Sequence, residues 1–172
     1  MRKRIRTRSC RSACGTPSLH KPMSRALFCS LIALSLSACT GGTVFHRYKP
    51  LPPEGWDRRD TMQFDLPKAE RDIDGTLFVG LRTAANLRYR DVVLAVEQRL
   101  TSPIFYRCDT VRYLLTDDEG FALSPGVNHH QYESQHVPFH LQKGQSGSVR
   151  IRHLMRHEVI PDITELGIRI DE

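Results

Sequence analysis

Beyond residue 62 the chain alternates apolar and polar residues over short stretches, and turn-forming residues separate those stretches. A period of two is the pattern of a β-strand that buries one face, whereas an amphipathic helix repeats every 3.6 residues. The stretch 165–170 shows the pattern clearly, because Leu166, Ile168 and Ile170 fall on one face. About six or seven such strands, each buried on one side, predict two antiparallel sheets packed face to face over residues 63–172.

One predicted strand is ambiguous from its pattern alone. Residues 91–100 alternate as a strand requires, although Val92, Val93 and Val96 also fit the apolar stripe of a helix. We predict a strand because no helix-ending signal precedes Pro103. The remaining predicted strands lie within residues 76–81, 104–106, 137–141 and 149–153.

Residues 110–123 predict a hairpin, in which an apolar strand enters an acidic turn and leaves through a second apolar stretch. Gly120 supplies the positive φ that such a turn needs. The run Tyr113-Leu114-Leu115-Thr116-Asp117, followed by this glycine, is similar to the strand-turn motif of small immunoglobulin-like domains of bacterial lipoproteins, including the FxLYD type. The resemblance implies an immunoglobulin-like antiparallel β-sandwich without catalytic activity.

Residues 23–38 have the form of a secretory signal, with one arginine, an apolar run of roughly ten residues and small residues before Cys39. The run is too short to span the bilayer as a helix, which needs about 20 residues. Leu36-Ser37-Ala38-Cys39 resembles the bacterial lipobox, whose cysteine receives a diacylglycerol on sulfur and becomes the new N-terminus. The resemblance implies lipidation of Cys39. Because Thr40 is not aspartate, it also implies anchoring at the periplasmic face of the outer membrane.

The basic N-terminal segment makes the overall charge misleading. Residues 1–38 hold eight Lys and Arg and no acidic residue, which leaves 17 basic against 19 acidic residues from Cys39 onward. Nucleic-acid binding needs a basic surface on the folded domain, so no nucleic-acid partner is predicted. Since a complete signal begins at Met23, we expect residues 1–22 to be a misassigned extension upstream of the true start.

Residues 39–62 predict a flexible, lipidated tether, because they contain paired glycines and three prolines but no apolar periodicity. Fully extended, this segment would reach about 80 Å at roughly 3.3 Å per residue and would hold the domain clear of the lipid head groups. Trp56 is expected to fold back onto an apolar groove of the domain.

Cysteines and histidines offer little for a chemical site. Cys108 is the only cysteine after Cys39, so no disulfide can form within the domain, and we expect Cys108 to be a small buried residue. Six histidines lie within residues 129–157, but residues four apart on a strand are about 13 Å apart. His153 and His157 could share a metal only if their segment became helical. We therefore predict no metal site and no cofactor.

The sequence predicts a non-catalytic envelope lipoprotein that binds another envelope protein or supports an assembly. It contains no Gly-x-Ser-x-Gly elbow, no Walker loop and no dinucleotide-binding fingerprint. The expected contact is strand addition at residues 165–170, which we place at a sheet edge. Two alternatives stay open: a metal- or ligand-binding lipoprotein that uses the histidines of residues 129–157, and a secretion-system accessory lipoprotein.

Overall fold

The computed structural model describes residues 42–172, in which all regular secondary structure is β-strand. The predicted all-β class is thereby confirmed. The predictions for residues 1–22, for the signal at 23–38 and for Cys39 lie outside the described residues. The eleven strands of the described part are β1 (Thr43–Pro50), β2 (Trp56–Asp57), β3 (Met62–Leu66), β4 (Ile73–Ala84), β5 (Asp91–Thr101), β6 (Phe105–Leu114), β7 (His129–Glu133), β8 (Val137–Leu141), β9 (Ser146–His153), β10 (Val159–Ile160) and β11 (Ile163–Asp171).

The strands form two main antiparallel sheets. Sheet 1 has the order β1-β11-β4, with β7 and β8 paired in succession along β4, and sheet 2 has the order β3-β9-β5-β6. Strands β2 and β10 form a separate short pair. With β7 and β8 counted as one strand, this is the eight-stranded order of a jelly roll. The predicted sandwich is confirmed, and its connectivity differs from the immunoglobulin order, in which the first and last strands lie in different sheets. Here β1 and β11 are paired neighbours.

The core fills the space between the inner faces of the two sheets. Leu77, Val79 and Leu81 are fully buried at every second position of β4, as the period of two requires, and Phe78 and Arg82 on the other face are partly exposed. A hydrogen bond links the sheets directly, because the Tyr113 hydroxyl on β6 donates to the Val79 carbonyl oxygen at 2.8 Å. Burying each such aliphatic side chain stabilises the fold by about 1.5–3 kcal/mol.

Strand β11 lies in the interior of sheet 1 rather than at its edge. It pairs with β1 on one side and with β4 on the other, so that Ile168 faces Arg47 and Val79. The prediction that residues 165–170 form a free edge for strand addition is therefore wrong. The alternation of the segment identified its buried face correctly, but it carries no information about which strands lie beside it.

The sandwich begins earlier than the sequence predicts. Residues 43–50 form β1, and the Leu51 amide beyond it donates to the Thr164 carbonyl oxygen at 2.9 Å. The side chain of Trp56 is 0% exposed, and its indole Nε1 donates to the Asp60 carbonyl oxygen at 3.1 Å. Packing of Trp56 on the domain is confirmed. The predicted tether over residues 39–62 is too long, since residues 43–62 are part of the folded domain.

Strands β5 and β6 form a long hairpin, which tests the predictions for residues 91–100 and for Cys108. Residues 91–100 lie within β5, as predicted. Cys108 on β6 is exposed, so the prediction that it is buried is wrong. Successive residues of a strand point to opposite faces, and Cys108 shares the outward face with Tyr106, whereas Val111 and Tyr113 face the core. Beyond β6, the predicted turn is confirmed, with Gly120 at a φ of 90°.

Two glycines make room for a tyrosine across the middle of sheet 1. Gly167 on β11 pairs with Tyr48 on one side and with Gly80 on the other. A Cβ at Gly167 would lie 2.6 Å from the Tyr48 ring, and one at Gly80 would lie 2.0 Å from its hydroxyl oxygen. The ring covers a strip of backbone that has no side chains of its own, as in the aromatic rescue of glycine in sheets. Burial there raises the pKa of Tyr48.

Candidate functional site

His153, one of the two candidate metal ligands, is a core residue at the end of β9. Its side chain is fully buried and its ring lies edge-on to Trp56, with 5.3 Å between the ring centroids. The Nε2–H group donates to the Trp56 carbonyl oxygen at 3.2 Å. Burial lowers the pKa of His153, because an apolar environment disfavours the charged imidazolium. The contacts indicate a structural histidine that fixes the Trp56 segment against sheet 2.

The other histidines contact different parts of the sandwich. His157 packs against Tyr89 with 5.4 Å between ring centroids, and His136 packs edge-on against Phe78 on sheet 1. His130 contacts the Ser124 carbonyl oxygen through Nδ1 at 2.8 Å. Within residues 42–172 there is no group of three or more His, Cys, Asp or Glu side chains that could hold a metal ion. The sequence grouping of these histidines thus does not correspond to one place in the fold.

The buried imidazole leads to a prediction about pH and stability. The folded-state pKa of His153 lies below its ordinary value of 6.5, so the unfolded chain binds more protons as the pH falls. The stabilisation from the neutral imidazole is complete above about pH 6.5 and is lost as the pH falls toward the folded pKa, by at most about 1.4 kcal/mol per pH unit. Urea unfolding of the wild type and of His153→Gln between pH 8 and 5 should show a weaker pH dependence in the variant. Trp56→Phe, which keeps the imidazole, serves as control, and equal slopes in wild type and His153→Gln would contradict the assignment.

The outer face of sheet 1 is polar, and its charges are largely paired with one another. Arg169 contacts Glu133 at 2.8 Å and Asp171 at 2.7 Å, and its guanidinium lies over the Phe78 ring. Arg82 contacts Glu165 at 2.6 Å and lies over the Tyr48 ring. Ion pairs formed among exposed side chains of one sheet are typical of a solvated surface.

Exposed apolar side chains concentrate instead at the two ends of the sandwich. Ten large apolar side chains are exposed in the described part of the chain, and all of them lie in end loops or at strand ends. Four lie at the end where β1 begins, which we call the tether end: Val44, Ile104, Phe105 and Tyr106. Six lie at the opposite, distal end: Leu114, Phe121, Leu123, Val127, Leu154 and Val159. Exposed apolar side chains grouped at one end of a domain often mark contact with a protein or a membrane.

The distal end is dominated by the loop of residues 115–128. Phe121 is 72% exposed and Val127 is 88% exposed, yet backbone hydrogen bonds hold the loop in place. The Leu123 amide donates to the Leu115 carbonyl oxygen at 2.9 Å, and this oxygen also accepts the Tyr132 hydroxyl at 2.8 Å. An apolar loop that is already ordered loses little conformational entropy when it binds, which favours a role in recognition.

Charged residues border the distal loop. Arg90 forms an ion pair with Asp118 at the turn, and Arg88 contacts Asp162 at 3.3 Å. Protein interfaces commonly have an apolar centre surrounded by a polar rim. The arrangement at the distal end therefore resembles a protein-binding surface more closely than a pocket for a small molecule.

The tether end carries a groove as well as exposed apolar residues. The groove has a volume of about 360 Å³ and is lined mainly by apolar side chains, including Phe45, Ile73 and Phe139. The charged lining residues are Lys68, Glu70 and Arg71, of which Arg71 is paired with Glu172. The lining offers apolar contacts rather than a nucleophile with an activating base.

The sequence predicts strand in both apolar segments. Within residues 104–106, Phe105 and Tyr106 pair with β5 as predicted, whereas Ile104 lies in the hairpin loop and is 92% exposed. Phe121 and Leu123 were predicted as the return strand, and only a single bridge between Thr116 and Ala122 forms there. The sequence does contain a sign of this exposure. A strand that is buried on one face buries only every second residue, so some of several consecutive apolar residues next to a turn must be exposed.

A β-sandwich domain with exposed apolar side chains at its ends, preceded by a segment that resembles a lipobox, has the features of a bacterial lipoprotein. Within residues 42–172 no helix is long and apolar enough to cross a bilayer. The family model described as GldH lipoprotein matches residues 43–170, and the chain belongs to this family. The gliding motility lipoprotein GldH of Flavobacterium johnsoniae is 28% identical over 153 residues, which cover 83% of this chain and 92% of that protein.

Solved structures show only distant likeness. A family 35 carbohydrate-binding module from Clostridium thermocellum is 14% identical with a TM-score of 0.35, covering 74% of this chain and 90% of that chain. The Eiger TNF of S. frugiperda is 9% identical with a TM-score of 0.27, covering 57% of this chain and 60% of that chain. Likeness at this level carries no argument about function.

Proposed function

We propose that the protein is a non-catalytic, lipid-anchored component of a gliding-motility-type envelope assembly, and that its distal end binds a protein partner. The anchor is the lipid on Cys39, and the domain faces the periplasm from the outer membrane. Membership of the GldH lipoprotein family and similarity to the gliding motility lipoprotein of Flavobacterium johnsoniae support the biological setting. No step of the proposal requires turnover of a substrate.

The observation that carries the proposal is the ordered apolar loop at the distal end. Phe121, Leu123 and Val127 are exposed on this loop, whose backbone is fixed by hydrogen bonds at residues 115–123. Exposed apolar surface costs solubility, and aromatic residues in an ordered setting are typical centres of protein interfaces. The loop lies at the end opposite to the start of β1, so a partner can reach it while the lipid is in the membrane.

Photocrosslinking in cells tests the distal end as the partner site. A photoactivatable residue at Phe121 or Val127 should trap one specific envelope protein, because both side chains are exposed on the ordered loop. The matched control is Thr110, an exposed residue in the middle of β6, which should trap little. Equal recovery from positions 121 and 110 would argue against a distal partner site.

A triple variant gives an independent test. Phe121→Ser, Leu123→Ser and Val127→Ser together should abolish capture by a photocrosslinker at Leu114, which lies at the distal end next to the loop. Each exposed position should change the free energy of unfolding by no more than about 0.5 kcal/mol. Undiminished capture in a folded triple variant would contradict the proposal.

A further inference from the structure

The link between lipid and domain is short. Strand β1 begins at Thr43, only four residues after Cys39, so the connection reaches at most about 14 Å when fully extended. Acyl chains on Cys39 would occupy the hydrocarbon core, and the head-group layer above it is itself roughly 5–8 Å thick. The first strand of the sandwich must therefore start within or just above the head groups.

We propose that the tether end of the sandwich rests on the lipid surface, with the tip of the β5–β6 hairpin inserted among the head groups. The inference depends on lipidation of Cys39 as proposed above. The occupant is a lipid surface because the chain length places one there. The inserted residues are Ile104, Phe105 and Tyr106, which are 92%, 43% and 58% exposed. Ile104 and Phe105 are apolar, and the Tyr106 ring carries a polar hydroxyl group. This combination is typical of the membrane interface, where aromatic rings with a polar group are favoured.

Strand pairing places this tip at the same end as the start of β1. Thr101 at the end of β5 pairs with Ser146, and the neighbouring Gly147 pairs with Leu66 at the end of β3. On sheet 1, Thr43 pairs with Asp171 at the end of β11. The hairpin tip and the start of β1 thus lie at one end of the described domain.

The tip is held rigidly. The Gln145 side-chain amide donates to the Pro103 carbonyl oxygen at 2.7 Å, and the Thr101 hydroxyl donates to the Ser146 carbonyl oxygen at 2.9 Å. Gln145 is itself buried, so the tip is connected to a fixed turn. Apolar side chains on a fixed tip can enter the interface without first paying to order a loop.

Basic residues do not predominate at the tether end, which gives the proposal a specific signature. The loops there carry the basic residues Lys68, Arg71 and Lys143, and the acidic residues Glu70, Asp72, Asp74, Asp171 and Glu172 lie at the same end. Amphipathic surfaces that bind through basic residues prefer anionic lipids. Contact through an apolar tip should instead depend little on anionic lipid.

The test uses the full-length lipidated protein in phosphatidylcholine vesicles, prepared with and without phosphatidylglycerol. An environment-sensitive fluorophore is attached to Ile104→Cys in a Cys108→Ser background, which removes the exposed native thiol. The matched control carries the probe at Phe121→Cys on the distal end. Quenching is measured with nitroxide-labelled lipid and with aqueous iodide.

We expect lipid nitroxide to quench the probe at position 104 at least several-fold more than the probe at 121, with the opposite order for iodide and little change on adding phosphatidylglycerol. A probe at 104 that iodide reaches as readily as at 121, on protein that still floats with vesicles, would overturn this inference and leave the lipid anchor standing. Protein that does not float would overturn both. Shielding from iodide without quenching by lipid would indicate contact with a second copy and would also overturn it.

Discussion

Replacing Trp56 with alanine is expected to destabilise the domain by about 3–5 kcal/mol, the usual cost of removing a large buried aromatic side chain. The indole is 0% exposed, donates to the Asp60 carbonyl oxygen and packs edge-on against His153. The change would leave a cavity where the segment after β1 closes the distal end. Urea unfolding monitored by circular dichroism at pH 8 measures the loss directly.

Glu54→Ala is the matched control, because this residue is exposed in the same segment. Its effect should stay within about 0.5 kcal/mol, as expected for a surface change. A free energy of unfolding that is unchanged in Trp56→Ala would mean that residues 51–61 are a flexible link after all, as their proline-rich composition suggests. The two variants together therefore show whether residues 51–61 are packed on the domain or form a flexible link.

Local patterns predicted the strands well because each depends on one face being buried. Val92, Leu94 and Val96 are buried in β5, and Val137, Phe139 and Leu141 are buried in β8. The acidic turn before Gly120 was equally readable, since only a few residue types tolerate a positive φ.

The start of the domain at residue 43 could not be predicted from the sequence pattern, and the reason is physical. Strand β1 is an edge strand, and its inward positions include Arg47 and Lys49. Lys49 contacts the Phe64 ring through its ammonium group and donates to the Gln63 carbonyl oxygen at 2.5 Å, so a cation covers the core where a hydrophobic residue would be expected. Long basic side chains can cover apolar surface in this way, which hides the period of two.

Strand order was also beyond local patterns. The pairing of β11 between β1 and β4 joins residues at least 80 positions apart, and nothing in the segment 163–171 specifies those neighbours. The same limit applied to the histidines, whose roles follow from tertiary contacts such as the one between His153 and Trp56. The two apolar ends were missed because exposure, unlike alternation, depends on where the loops lie in the finished fold.

Placing the start of the domain at residue 43 changes the expected mode of action. A tether of about 80 Å would let the domain search a wide volume, whereas a link of about 14 Å to a lipid on Cys39 would hold one end at the membrane. In that proposed placement the distal loop with Phe121 would point away from the bilayer.

Replacing Cys39 with serine is expected to abolish lipidation and to move the protein from the membrane to the soluble fraction. The Cys39 sulfur is the atom that would carry the diacylglycerol. Because stable anchoring needs more than one acyl chain, no other contact of the protein with lipid can replace this attachment fully. Cells labelled with a palmitate analogue, fractionated and probed for the protein provide both measurements. Cys108→Ser is the matched control and should keep label and location, since the Cys108 side chain lies on the outward face of β6.

The folded domain provides a second readout that separates anchoring from folding. Residues 42–172 contain the whole buried core of the described structure, so Cys39→Ser should leave the melting temperature of the protein unchanged. Label that persists in Cys39→Ser would refute the lipobox assignment, and with it the placement of the tether end on the membrane. Loss of label with membrane association retained would show that the exposed tip at Ile104 holds the protein to lipid more strongly than a short apolar loop is expected to do.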